Sequence, residues 1–452
     1  MSEIPILPTN FERTRGNLTR LPIINMFAEI SPADDRVILQ SRPGTDRAST
    51  VGAADAPVRF VYSEPGVFSA DVFSVVGSSL YRGTALLGTI DGTGPVSIDS
   101  YSDTLFLAAG GSLWSYDGTT LAAVAVPDDL QVSKVFVGFG RAFVVIANSD
   151  RFYWTDVLDT VIDPLSFATA ENSPDIIRDA ILLGDSLILF GEATTEYWML
   201  SSDPALPFEP LVGRVYPKGV KNLGAVTQLQ ATFAAVTNTS QVIIGGPDNI
   251  VSSSELETEI EQADEVLLWA FYLDQLEFLC VTVDAVSWIY NPRVKGLWTK
   301  FETYGETSWE PRYYTNGFFG SSVTNRLLTW SSAYLDVDQP VLERRFRVYN
   351  ENTKPSLVIH NLILRSEVGT TSYLEGTYAD PTVELRTSKD GGNTWTSWRG
   401  TSLGRQGDYA ALARWFGLGA FSYPGLLFEF RVTAPVSFNA LVVYINEPYG
   451  GL

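Results

Sequence analysis

The chain is 452 residues long, 45% hydrophobic and 18% charged, with 31 basic residues against 52 acidic ones and a formal net charge of −21. That balance argues against gripping nucleic acid by neutralising phosphates, which needs a basic surface. One cysteine, Cys280, and one histidine, His360, exclude an intrachain disulfide and a multi-cysteine metal site, and leave a single imidazole for any Ser/His/Asp or Cys/His arrangement.

The start, MSEIPILPTN, has no basic segment leading into an apolar stretch, so no secretory signal is expected. No run reaches the roughly 18 apolar residues of a membrane helix. The expectation is a soluble protein made in the cytoplasm. Residues 1–50, interrupted by Pro5, Pro8, Pro22, Pro32 and Pro43, read as an extended arm, a candidate to close a larger fold with one strand.

Over residues 51–335 a short apolar run, a polar turn and a second run ending in Trp or Tyr recur, which is the hairpin signature. Val72-Phe73-Ser74-Val75-Val76 turns into Leu80-Tyr81, and Leu105-Phe106-Leu107-Ala108 turns at Gly110-Gly111 into Leu113-Trp114. Similar pairs begin near 142, 187, 233 and 278, with a weaker one near 326. Starts at 72, 105, 142, 187, 233, 278 and 326 give steps of 33, 37, 45, 46, 45 and 48 residues. Repeats of about 40 to 50 residues holding several short strands mark a β-propeller, here of six or seven blades. A string of β-sandwich domains is the alternative. Cys280 lies in a mostly apolar run and reads as a core side chain.

One segment breaks the rhythm. Ser254-Glu255-Leu256-Glu257 reads as a capping box with Ser254 at the N-cap, opening a short acidic helix through about Glu265. Leu256, Ile260 and Ala263 share one face, and Glu257 and Glu261 are candidate contacts to a partner subunit. Residues 336–452 read as a separate sandwich-like β domain, with His360 in a run that reads as a strand. In Glu343-Arg344-Arg345-Phe346-Arg347, a strand puts Arg345 and Arg347 on one face and Arg344 on the other. The alternatives for these arginines are a solvated strand and ion pairs to an acidic neighbouring subunit.

Ser388-Lys389-Asp390-Gly391-Gly392-Asn393-Thr394-Trp395 matches the Asp-box pattern S-x-D-x-G-x-x-W. In that pattern Ser388, Asp390, Gly392 and Trp395 build a turn: the carboxylate accepts backbone N–H bonds, glycine tolerates positive φ, and the indole packs back. A glycosidase would also need an acid, a nucleophile and their partners, which no spacing here assigns. No Walker loop, HExxH or helix-opening GxGxxG occurs, and Asp34-Asp35 and Asp128-Asp129 lack calcium-loop spacing. No catalytic, cofactor or metal residue is assigned.

The chain resembles the packaged-DNA stabilisation proteins, or tail hub proteins, of short-tailed phages. The resemblance runs through Leu21-Pro22, Asn25-Met26-Phe27-Ala28-Glu29 and Ser41-Arg42-Pro43-Gly44-Thr45, then Thr195-Glu196-Tyr197-Trp198 and Tyr216-Pro217-Lys218-Gly219-Val220. It returns in Arg414-Trp415-Phe416-Gly417 and Phe428-Glu429-Phe430-Arg431-Val432-Thr433-Ala434-Pro435-Val436. It implies a non-enzymatic virion protein of the phage tail, assembled in the host cytoplasm. It also implies a ring, taken as a hexamer, below the portal and its adaptor ring. That ring would close the DNA-filled head, form part of the ejection channel and anchor tail fibres or spikes and the needle. Double-stranded DNA would pass without sequence-specific contact, with no cofactor and no membrane partner. The alternative from a different class is a glycan-binding or glycan-hydrolysing propeller.

Overall fold

The computed structural model describes residues 2–4, 6, 22–31, 36–53, 55–90, 92–170, 175–202, 206–350, 357–421 and 426–446. Pro5, Pro8, Leu21, Pro32 and the Asp34-Asp35 pair lie outside them. The chain divides into two compact units. One is Arg47–Ala285 with Glu310–Thr329; the other is Met1–Asp46 with Val286–Trp309 and Trp330–Leu452.

In the first unit seven strands follow one another around a closed cycle: Val58–Tyr62, Val96–Tyr101, Val132–Gly138, Ile177–Leu183, Val226–Gln228, Val266–Leu273 and Pro311–Thr315. Each touches the next and the last touches the first, so the ring has seven blades, numbered here by these innermost strands. From each one the chain meanders outward in antiparallel strands. In blade 3, for example, Val132–Gly138 is followed by Arg141–Ile146, Arg151–Thr155 and Ile162–Thr169.

The runs that set the sequence period are the second strands of blades 1 to 6, such as Phe73–Val76 and Thr104–Ala109. They are buried on both faces, so they read as continuous apolar runs. The innermost strand of blade 2 alternates instead. Val96-Ser97-Ile98-Asp99-Ser100-Tyr101 buries every second side chain and turns the others toward the axis or a neighbouring blade. In blade 7 the second strand is Phe318–Ser321, and the run from Arg326 is the third. The outermost strand there is Gly44–Thr50, from near the chain start. Val51 N–H donates to Asn325 O at 2.8 Å, and Asn325 Nδ2 returns a bond to Val51 O at 2.9 Å.

Apolar clusters fill the spaces between successive blades. Phe136 and Phe143 of blade 3 stack at 5.3 Å, and Phe208 of blade 4 sets its edge on Phe143 at 5.3 Å. Each such ring withdrawn from water stabilises the fold by about 1.5–3 kcal/mol before entropy is counted.

The second unit holds two sheets over one apolar cluster. One sheet runs in the order Met26–Ile30, Val37–Ser41, Asn439–Ile445, Leu357–Ser366, Ala413–Phe421, with Ser2–Ile4 also on Asn439–Ile445. The other runs Arg344–Asn350, Leu426–Val432, Thr382–Ser388, Arg399–Ser402. Met26, Leu39, Leu362 and Val443 from the first meet Phe346, Leu385 and Phe430 from the second. This division differs from boundaries at residues 50 and 335. Leu39 pairs with Ala440, a partner 401 positions away that no local pattern announces.

The helix runs Ser254–Gln262 in the propeller unit, shorter than expected. Its N-cap is Ser253, not Ser254: Ser253 Oγ accepts from Leu256 N–H at 3.3 Å, while the Glu257 carboxylate accepts from Ser252 Oγ at 2.7 Å. Leu256, Ile260 and Ala263 are buried, so the apolar face is as expected. Cys280 is buried in blade 6. His360 is exposed in the strand Leu357–Ser366, with its backbone N–H on Asn446 Oδ1 at 2.8 Å.

Candidate functional site

The propeller axis is a cavity of about 1410 Å3, lined by the innermost strands. Because these strands belong to different sheets, no ladder joins them, and side chains bridge them instead. Ser97 Oγ and Asp99 Oδ2 of blade 2 accept the N–H groups of Val135 (2.9 Å) and Val137 (2.7 Å) of blade 3. Asp179 of blade 4 is fully buried. It takes the Lys134 ammonium of blade 3, and it accepts the N–H groups of Ala180 (2.7 Å) and Gly224 (3.1 Å), the latter entering blade 5. Glu277 Oε1 of blade 6 accepts Gln230 N–H at 2.8 Å. Thr315 Oγ1 of blade 7 donates to Ser63 O of blade 1 at 3.1 Å, which closes the circle.

Asp99 also accepts from Ser100 N–H at 2.8 Å and from the Tyr62 hydroxyl of blade 1 at 3.3 Å, so it touches three blades. Burial pushes its carboxyl up to about 6, against the backbone bonds that favour the ionised form, and burial likewise raises the Tyr62 phenol. A carboxyl raised in the folded state holds its proton where the unfolded chain has lost it. Folding stability is therefore greatest below the unfolded value near 3.8 and falls as pH rises to about 6. Asp99→Asn mimics the protonated form without titrating. Denaturant unfolding of both proteins from pH 4 to 7 should show the wild type losing about 1–3 kcal/mol relative to the variant, after allowance for its partial exposure. A stability difference that does not vary with pH would refute the assignment.

In the two-sheet unit, two motifs that carried the resemblance converge. The Arg42 guanidinium, with no exposure, pairs bidentately with Asp336 (Nη1–Oδ1 2.8 Å, Nη2–Oδ2 2.5 Å). Its Nε donates to Asn25 Oδ1 at 2.9 Å, and its plane lies 5.5 and 5.6 Å from the Phe301 and Trp309 rings. Thr45 Oγ1 completes Asp336 at 3.1 Å. Between them Gly44 has no room for a side chain, since a Cβ would collide with the backbone of Leu335. Spacing alone missed this clamp; the runs Asn25-Met26-Phe27-Ala28-Glu29 and Ser41-Arg42-Pro43-Gly44-Thr45 were its traces.

The arginine run divides as the strand geometry dictates, but its partners differ from those expected. Arg344 lies on the core face with no exposure and donates to the carbonyls of Val436 (2.6 Å) and Ala434. Burial, with Arg42 nearby, lowers its value to about 9. A side chain so enclosed is no surface contact, and that expectation is corrected. Arg345 and Arg347 face outward onto acids of their own chain. The fully buried Glu429 carboxylate takes Arg347 at 2.7 Å and Arg386, with Arg345 at 3.9 Å. Arg345 stands directly opposite Arg431 in the ladder, a repulsive pair. Glu343 relieves it by reaching both, at 3.6 and 3.8 Å. Trp395 and Trp398 lie over the same arginines, with Arg386 4.7 and 4.6 Å from the two rings.

The Asp-box residues sit together in one turn that ends on this face. Ser388 Oγ donates to Asp390 Oδ1 and accepts Gly392 N–H, both at 2.8 Å. Asp390 accepts Thr394 N–H at 2.8 Å and Thr394 Oγ1 at 2.6 Å, and these bonds draw its value down to about 2. Trp395 Nε1 donates to Gly392 O at 3.0 Å. Glu257 is half-buried and Glu261 exposed on the helix of the propeller unit, so they and the arginines belong to different units.

A closed ring of seven blades, bridged by Asp99 and Asp179 through backbone bonds and an ion pair, defines a β-propeller. The chain belongs to the phage stabilisation family: the family model described as bacteriophage P22 Gp10, β-propeller, matches residues 2–316. Membership makes it a phage structural protein of DNA stabilisation. No curated protein sequence matches the chain. Among solved structures it is similar to BamB from Moraxella catarrhalis (12% identity, 69% of this chain and 94% of that one, TM-score 0.34). It is also similar to the Myceliophteria thermophila Cps50 (Swd1) β-propeller domain (9%, 64% and 99%, 0.41) and to YCF48 from Cyanidioschyzon merolae (11%, 63% and 99%, 0.41).

Proposed function

We propose that the chain is a tail hub of a short-tailed phage. Copies form a ring, six in the favoured reading, beneath the portal and adaptor. The ring closes the DNA-filled head, lines part of the ejection channel and anchors fibres or spikes and the needle. The observation that carries this is the family match over residues 2–316, which takes in the first six blades and the innermost strand of the seventh.

The size of the axial cavity supports a ring of copies. A duplex about 20 Å across, threaded through one propeller some 20 Å deep, needs on the order of 6000 Å3. All the space not filled by atoms in the cavity, open solvent included, comes to about 3350 Å3. DNA would therefore pass between copies, and heterologous contacts that close on themselves supply such a conduit. The acidic surplus suits a wall that does not grip its cargo. Glu261, exposed on its helix, is kept as a candidate contact between copies. The glycan reading has little support, since Asp390 spends its acceptors on its own turn. A purified chain added to a portal–adaptor complex is expected to build a ring under it, visible by electron microscopy. Folded protein that never joins the complex would count against the proposal.

A further inference from the structure

On blade 3 the chain exposes apolar side chains where a solitary propeller has no use for them. Val157 (56%), Leu158 (67%), Val161 (66%) and Leu165 (85%) stand in solvent along nine residues, with Phe139 (44%) beside them. Scattered exposed leucines are ordinary, but a contiguous set marks an interface.

The backbone holds this set in place at some cost. Phe139 and Leu158 both adopt left-handed backbone, at φ 53° and 57°. Such positions favour Gly, Asn or Asp and cost an ordinary residue about 1–2 kcal/mol. Leu158 N–H is anchored on Gly140 O at 2.7 Å, and the Tyr101 hydroxyl of blade 2 holds Asp159 O at 2.5 Å. In the ladder, Tyr153 pairs with Phe167 but Thr155 with Ile162, so residues 163–166 bulge out of the strand. Asp163 Oδ1 caps Leu165 N–H at 2.8 Å, and Pro164 stiffens the bulge that carries the leucine outward.

The rim is acidic. Asp156 (76% exposed), Asp159 and Asp163 interleave with the apolar set; of the cations on this blade, Arg141 is largely buried and pairs with Asp156 at 3.6 Å, and Arg151 lies over the Phe167 ring at 5.4 Å. We propose that this face of blade 3 docks a protein segment whose apolar side chains are flanked by lysine or arginine. Apolar contact supplies the affinity and the aspartates select the sign of the partner. The proposal stands independently of the tail assignment. A second copy of a chain carrying −21 is a poorer occupant for an acidic rim.

The test uses the full chain and two labelled peptides, one alternating leucine with lysine and one alternating leucine with glutamate, followed by fluorescence anisotropy. The lysine peptide should bind about 10-fold or more tightly than the glutamate peptide, and Val161→Asp/Leu165→Asp should weaken it by about the same factor. Asp156→Asn/Asp159→Asn/Asp163→Asn, which keeps the capping oxygens, should weaken it severalfold. The same change at the exposed Asp103, Asp248 and Asp274 should not. An unchanged thermal midpoint certifies the fold of each variant. Equal binding by wild type and Val161→Asp/Leu165→Asp, or equal losses from the two aspartate triples, would overturn the proposal. So would a self-associated dimer that Leu165→Asp dissolves, which would assign the face to a second copy.

Discussion

Arg42→Met is expected to destabilise the two-sheet unit by about 3–5 kcal/mol, more than any other single replacement proposed for this protein. The guanidinium is fully enclosed and makes its bonds to Asp336, Asn25 and the carbonyls of Pro43 and Glu302. Methionine fills much of the volume but takes away the carboxylate's bidentate partner, leaving buried Asp336 the Thr45 hydroxyl and the more distant charge of Arg344. An isolated buried charge costs far more than the pair contributed, so the loss comes mainly from the orphaned acid. Arg42→Met/Asp336→Leu should recover much of the stability, since the charge still buried nearby, Arg344, keeps its carbonyl partners on Val436 and Ala434. Urea unfolding of the two variants decides the matter. A single-variant loss below about 1 kcal/mol, the range of exposed pairs, would mean the pair is solvated in solution.

Asp179→Leu should weaken the propeller by about 2–4 kcal/mol, lowering its thermal midpoint by roughly 5–15 °C. One side chain serves Lys134, its own strand and the backbone entering blade 5. Removing it strands the Gly224 N–H in a place with no ladder to receive it. Lys134 is 18% exposed and can turn its ammonium to water, which is why this loss is set below that of Arg42. Asp179→Asn keeps one acceptor and should fall between. Calorimetry on the full chain would separate this transition from that of the two-sheet unit. A midpoint unmoved by either change would remove Asp179 from the closure of the ring.

The Arg42 clamp explains a motif that sequence patterns could point to but not interpret, whereas the Asp179 bridge left no motif at all. Ser41-Arg42-Pro43-Gly44-Thr45 carried part of the resemblance, yet nothing local says that its arginine meets Asp336, 294 positions on. The same limit applies to Arg344, Arg345 and Arg347. Strand alternation assigned their faces correctly, but a period of two does not say which face a second sheet covers. It covered that of Arg344. The acids facing the other two came from the same chain: Glu429, on a strand some 80 residues downstream, and Glu343 at the start of the run itself.

The sequence by itself determined the all-β class, the repeating hairpins, the apolar face of the helix Ser254–Gln262 and the residues of the Asp-box turn. Each depends on neighbours within about ten residues, where side-chain periodicity and turn chemistry act directly. Only the tertiary structure decided that there are seven blades, that Gly44–Thr50 completes the last of them, and that the strands before it join a sheet built from the chain's end. Those outcomes are pairings between distant edges. An edge strand advertises unpaired backbone groups without naming the partner, and the choice is made by which packing buries the most apolar surface with every buried charge answered.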